Sequence, residues 1–249
     1  MWLALLLRPD AATVVQVMAV TAVGALVQSV TGFGFSLVCV PILVLVVGPA
    51  HAVRLVNELA VVLNLTILAR EHRHVQVADA GRLLLPALVV TPLAAYAVHR
   101  SDPALLSVVV GVVIMASAVV LTLGLRAPGL RHRRGIVVAG STSALLNTTS
   151  GTGGAAVAMF AVNAGWSIEA TRPTLQLYFL GLNAMSIVAL GPLTVRPGPA
   201  TGIVAAMGVG LAVGVGAGRR ISATGVGHCV VGLALGGGAL AVIRGLSNS

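Results

Sequence analysis

The chain has 249 residues, 57% of them hydrophobic and 8% charged, with a formal net charge of +9. A soluble domain carries about 25% charged residues, so this composition excludes one. At about 20 residues per spanning helix, the length fits roughly eight to ten membrane segments and no sizeable soluble domain.

The apolar runs are continuous rather than alternating, which excludes a transmembrane β-barrel. The fold class is therefore an all-α polytopic membrane protein. Lysine is absent, so there is no phosphate-loop lysine and no Schiff-base lysine. The arginines stand singly or in short clusters between apolar runs, the placing of topology anchors and not of a nucleic-acid face.

Taken in order, Met1–Leu7 is a short apolar lead with Trp2 as an interfacial anchor. Arg8 followed by Asp10 makes a poor secretory signal, so the first hydrophobic segment is expected to be retained. A helix over Ala12–Thr31 runs into the glycine-broken polar stretch Gln28-Ser29-Val30-Thr31-Gly32-Phe33-Gly34-Phe35-Ser36. The segment after it, Phe35–Val47, would rise only about 20 Å, less than a hydrocarbon core of about 30 Å. It reads as a half-helix of a re-entrant hairpin, with Pro41 expected to kink it.

Gly48-Pro49 makes a turn before a helix at Ala50–Ala69, and Arg70 opens a polar loop reaching Arg82. Two spans follow, Leu83–Val98 and Pro103–Leu123. The basic stretch 124–135 is the natural linker, dividing a first membrane repeat (1–123) from a second (136–249).

The second half repeats the plan. Helix Ile136–Leu146 leads into Asn147-Thr148-Thr149-Ser150-Gly151-Thr152-Gly153-Gly154. A short segment Ala155–Val162 follows, then helices at Ile168–Leu190, Ala200–Ala217 and Ala223–Ile243. Gly32-x-Gly34 and Gly151-x-Gly153 stand 119 positions apart, Arg54 and Arg172 stand 118 apart, and Arg100 and Arg220 stand 120 apart. Counting arginines places 70–82, 124–135 and Arg219-Arg220 in the cytoplasm and the Arg196 loop outside. Five segments per half, an odd number, make the two repeats inverted.

The two patches hold the candidate chemistry. Backbone broken at membrane depth survives only where it is buried in protein or lines a wet cavity. Paired interruptions at matching places point to a transporter's substrate site. Helices starting at Phe35 and Ala155 would aim free N–H groups and a positive dipole end at each break, a ready anion site. The candidate substrate-binding residues are Gln28, Ser29, Thr31, Gly32, Gly34 and Ser36 in the first half. Asn147, Thr149, Ser150, Gly151, Thr152, Gly153 and Gly154 match them in the second. Small-residue helix packing is the bland alternative for the glycines.

Arg54 and Arg172 open equivalent helices and read either as interfacial anchors or as an anion-gathering gate. Glu58, one turn beyond Arg54, is either a carrier of a coupling proton or a paired structural charge. Gln176 stands at its counterpart. Asn64 and Asn183 lie deeper and read as interhelical hydrogen-bonding groups. Cys39 and Cys229 read as small buried hydrophobes, and His228 as a packing residue. His72, His74 and His132 read as solvated loop residues. No metal-ligand spacing, catalytic constellation or cofactor motif is present.

The duplicated Gly-x-Gly patches are each followed by a short apolar segment and an alanine-and-arginine helix start, Ala52-Val53-Arg54 and Ala170-Thr171-Arg172. In this the whole chain resembles the sulfite exporter TauE/SafE family. The resemblance implies a plasma-membrane transporter of sulfite, sulfoacetate or related organosulfur and organic anions, with the glycine patches as translocation core. It departs from the family in Phe33 and Phe35 flanking Gly34, and in Pro41 having Phe160 as its counterpart. The expectation is a secondary transporter, not an enzyme, with a small anion and the bilayer as partners and protons as a possible coupling ion. A non-transporting assembly or sensory subunit, or an intramembrane enzyme, is the rival reading.

Overall fold

The computed structural model describes residues 11–123, 133–193, 197–217 and 223–247. These residues form ten α-helices: α1 Ala11–Thr31, α2 Phe35–Val47, α3 Pro49–Glu71, α4 Val77–Arg100 and α5 Pro103–Leu123 in the first half. The second half holds α6 Arg133–Ser150, α7 Gly154–Asn163, α8 Ile168–Leu190, α9 Pro197–Ala217 and α10 Ala223–Ser247. Seven are long and apolar enough to cross a membrane, and α2 and α7 are shorter apolar helices. α6, rich in Ser, Thr and Asn, falls outside the seven.

Which side chains face out decides the environment. Val188, Leu85, Leu88, Val89 and Leu93 are exposed, whereas Gln28, Asn57, Asn147, Gln176 and Asn183 are buried. A soluble protein would bury the first set and hydrate the second. This arrangement suits lipid outside and interhelical hydrogen bonds inside. The chain is a multi-pass membrane protein.

The strongest pairings cross between the halves: α1 with α9, α4 with α6, α3 with α8 and α5 with α10. Close approaches fix their directions. Gly202 meets Met18, Gly210 meets Ala22 and Gly214 meets Leu26 and Ser29, so α1 and α9 run parallel. Gly111 meets Gly238 and Val242, while Gly245 meets Ala104 and Val108, so α5 and α10 run antiparallel. The α3/α8 pair is also antiparallel, with Glu71 beside Arg172 at one end and Glu58 beside Leu193 towards the other. Exchanging α1–α5 for α6–α10 maps α1/α9 onto α6/α4 and the other two pairs onto themselves. A self-paired antiparallel couple requires an exchange axis lying across the helices.

Several helices outrun their apolar cores. α4 begins at Val77, before Leu83, with Asp79 in its first turn pairing with Arg82 at 2.9 Å. α3 continues to Glu71 and passes into a 3-10 turn at His72–His74, whose three residues are exposed. Arg133, Arg134 and Gly135, expected in the linker, open α6. Hydropathy marks only the lipid-buried part of a helix, whereas backbone pairing continues into the interface. α2 runs unbroken through Pro41, which packs against Gly237 of α10 where a Cβ would not fit. Cys39 is buried as expected, but Cys229 is exposed, and His228 is exposed too. Trp2, Arg8, residues 124–132 with His132, Arg196 and Arg219-Arg220 lie outside the described residues.

Candidate functional site

Both breaks are built by left-handed glycines. Gly32 has φ 85° and Gly34 φ 121°, flanking Phe33 between α1 and α2, and Gly151 has φ 70° between α6 and α7. A side-chain-bearing residue would be strained at any of the three. The breaks meet at one cavity of about 40 Å³. Gln28, Phe33, Gly34 and Ser36 line it from the first half, and Asn147, Gly151, Thr152 and Gly154 from the second. Asn64, Asn183, Ala60 and Phe179 complete its sides. No lining residue carries a charge. Any anion there would be held by dipoles: the first turns of α2 and α7, the amides and the hydroxyls.

A polar network of duplicated design holds the breaks in place. Gln28 Nε2 donates to Asn64 Oδ1 and to Gln176 Oε1, each at 3.4 Å. Its own Oε1 accepts from the Phe35 amide at 3.1 Å, tying the start of α2 to α1. Gln176 Nε2 donates to the Gly32 carbonyl at 3.0 Å, so α8 of the second half secures the break of the first. In the other half Asn147 Nδ2 lies 2.9 Å from Asn57 Oδ1, 3.0 Å from Asn183 Oδ1 and 3.3 Å from Ser186 Oγ. With two hydrogens it serves two of these at a time. Gln28 and Asn147, Asn57 and Gln176, and Asn64 and Asn183 are all 119 positions apart. Each break therefore reaches one amide of its own half and one of the other.

The remaining candidates fall elsewhere. Ser29 donates to the Leu26 carbonyl at 2.7 Å and packs against Gly214 of α9, away from the cavity. Thr31, the last residue of α1, has the carbonyls of Val27 and Phe33 in reach of its one hydroxyl hydrogen, which closes the first break on itself. Thr149 donates to Leu145 O at 2.7 Å, and Ser150 bonds Leu146 O and the Thr152 hydroxyl, each at 2.7 Å. Gly153, the residue capping α7, has an ordinary right-handed φ of −66°, and a Cβ there would stand 2.5 Å from the Ser143 carbonyl.

Arg172 pairs with Glu71 at 3.0 Å and lays its aliphatic stem along Gly32. Glu58 accepts from the Leu193 amide at 2.5 Å, fastening the exit of α8. Arg54 is half-buried on the same helix. Ser186 also meets the Thr148 hydroxyl, at 3.2 Å. Phe179, Ala60 and Ser186 were not singled out by sequence, because an apolar or small residue inside an apolar helix carries no signal of its own.

The comparisons agree with this architecture. A family model described as "Sulfite exporter TauE/SafE" matches residues 17–241, nearly the whole chain and both glycine breaks. No curated protein and no solved structure matches. Matched over that extent, and built of membrane helices around a shared buried break, the chain belongs to the TauE/SafE sulfite exporter family of membrane transporters.

Proposed function

We propose that the protein is a secondary transporter, working as an exporter, of small anions such as sulfite, sulfoacetate or related organosulfur and organic anions. The anion sits between the two glycine-broken helix starts, and the membrane is the cell membrane. The observation that carries this reading is the uncharged cavity lined by both breaks. Each helix start there adds a dipole contribution of up to about 2 kcal/mol in a partly buried setting. Close backbone and hydroxyls add donors without a fixed charge that would hold the passenger too tightly to leave.

Alternating access follows if the units 1–123 and 136–249, joined by 124–135, act as inverted repeats rocking about the cavity. The exchanged helix pairing supports that division. Arg172, with Gln176 and Glu71, forms the gate over the first break, since its stem covers Gly32 and its head is held by an ion pair that an incoming anion can compete for. Arg54 is the equivalent position in the first half, beside Glu58. With no nucleotide-binding motif in the sequence, the substrate gradient or a proton gradient drives the cycle. Purified protein in liposomes loaded with sulfite, sulfoacetate or acetate, run with and without a pH gradient, tests this. Saturable efflux above that of empty liposomes is the expected result, and passive leak alone for every anion would overturn the reading.

A further inference from the structure

α5 and α10 run antiparallel and begin 120 positions apart, as Arg100 and Arg220 do, so exchanging the halves turns each helix into the other. The two ends of the pair should then look alike, and they do not. At one end the backbones touch. A Cβ on Gly111 would stand 2.5 Å from the Gly238 carbonyl and 2.8 Å from Val242 Cγ2, and one on Gly245 would stand 2.6 Å from Val108 Cγ2. Shifted by 120, Gly111, Gly238 and Val242 become Val231, Ala118 and Thr122. Those three stand around a cavity of about 470 Å³ instead, and His228, which answers to Val108, lines it too.

A second pair is unequal in the same way. Leu84 of α4 packs on Gly181 of α8, whereas Val62, at the counterpart of Gly181 on α3, is exposed. The splayed end of α5 and α10 adjoins 124–135 and Arg219-Arg220, which the arginine count places in the cytoplasm. Phe33 and Gly34 line both this wide cavity and the small one between the breaks. The small cavity is thus approached from the splayed end. At the other end Pro41, on the short helix that leaves the first break, is seated on Gly237 of the closed seam.

We propose that the α5/α10 seam is the gate of the transporter, and that this structure is its cytoplasm-open, loading state. In the opposite state the contact passes to Ala118, Thr122 and Val231, and the seam at Gly111 and Gly238 parts towards the outside. Small residues let the two backbones meet closely, and packed helices change between discrete arrangements. This gate rests on the reading of the small cavity as an anion site and governs access to it.

The test uses the full chain in membrane vesicles of either orientation, with Cys39→Ala and Cys229→Ala removing the native thiols. Leu121→Cys reports on the wide cavity, and Ala241→Cys, 120 positions on, reports on the seam, where Ala241 is fully buried. A membrane-impermeant thiol reagent should reach Leu121→Cys from the cytoplasmic side at rest and Ala241→Cys from neither side. During sulfoacetate efflux, Ala241→Cys should react from the outside. Gly111→Ala burdens only the closed seam, so without any anion it should slow the reaction of Leu121→Cys, and speed that of Ala241→Cys, at least about fivefold. Gly238→Ala, whose Cβ would meet Met115 Cγ at 2.8 Å and the Gly111 carbonyl at 2.9 Å, serves if the first variant does not insert.

Sulfoacetate efflux that proceeds while Ala241→Cys stays inert would overturn the gate and leave the anion site standing. So would labelling that neither glycine variant alters. Leu121→Cys reacting only from the outside would overturn the cytoplasm-open assignment. Absence of saturable efflux for sulfite, sulfoacetate and acetate alike would remove the anion site and the gate with it.

Discussion

Gly153 and Gly154 are adjacent, yet the structure assigns them opposite effects. A Cβ at Gly154 lies 3.7 Å from Phe179 Cζ, an ordinary van der Waals distance, in the first turn of α7. Gly154→Ala should therefore stabilise the protein by about 0.5–1 kcal/mol, through helix propensity and a less free unfolded chain. The same methyl projects into a cavity of about 40 Å³, which holds only about three or four bodies of about 10–15 Å³ each, the size a water needs. Anion flux should fall at least about tenfold, roughly 1.4 kcal/mol.

At Gly153 a Cβ would stand 2.5 Å from Ser143 O, 2.8 Å from its Oγ and 2.9 Å from Asn147 Cβ. Gly153→Ala should cost about 1–3 kcal/mol of stability by overpacking. A valine there would lose flux by losing the fold, and so says nothing about passage. Thermal unfolding in detergent ranks the variants as Gly154→Ala above wild type above Gly153→Ala, and liposome efflux measures passage. Gly154→Ala carrying anion at the wild-type rate would refute the claim that the passenger enters this cavity.

Removing Gln28 and Gln176 by alanine, singly and together, should give a coupling of about 0.6–1.7 kcal/mol in a double-mutant cycle on unfolding. Independent losses would mean that the 3.4 Å contact contributes nothing. Glu58→Gln keeps an oxygen acceptor for the Leu193 amide, so the dependence of efflux on a pH gradient should stay as in wild type while stability drops by about 1 kcal/mol. A flattened pH response would instead make Glu58 the proton carrier. The Arg172–Glu71 pair is partly exposed, at 29% and 34%, so the cycle on stability should give under about 1 kcal/mol. Flux of Arg172→Ala should nonetheless fall several-fold, because the stem over Gly32 goes with the charge.

Much of this was legible in the sequence because membrane solvent leaves few choices. A glycine-broken run such as Thr31–Gly34 inside apolar flanks has to be buried against protein, and its recurrence at Ser150–Gly153 marks a second such place. The spacing of 119 between Gly32 and Gly151 holds again for Gln28 and Asn147, and for Asn64 and Asn183. Side-chain direction was not legible. Ser29 is one residue from Gln28, a turn of about 100° on a helix, and that takes it from the cavity to α9. Thr149 and Ser150 spend their hydroxyls on their own helix, a habit composition cannot distinguish from ligand binding. Phe179 and Ala60 reach the cavity only through the crossing of α8 and α3.

The parallel seating of α1 on α9 has a consequence for biosynthesis. The groove in α9 that admits Met18, Ala22 and Ser29 is cut by Gly202, Gly210 and Gly214, almost two hundred residues downstream. During insertion α1 must therefore wait in the bilayer without its mate until α9 has been made. A nascent chain stopped after α5 also lacks α8, whose Gln176 holds the carbonyl of Gly32, so quality control would meet the first half as an orphan and not as an autonomous module.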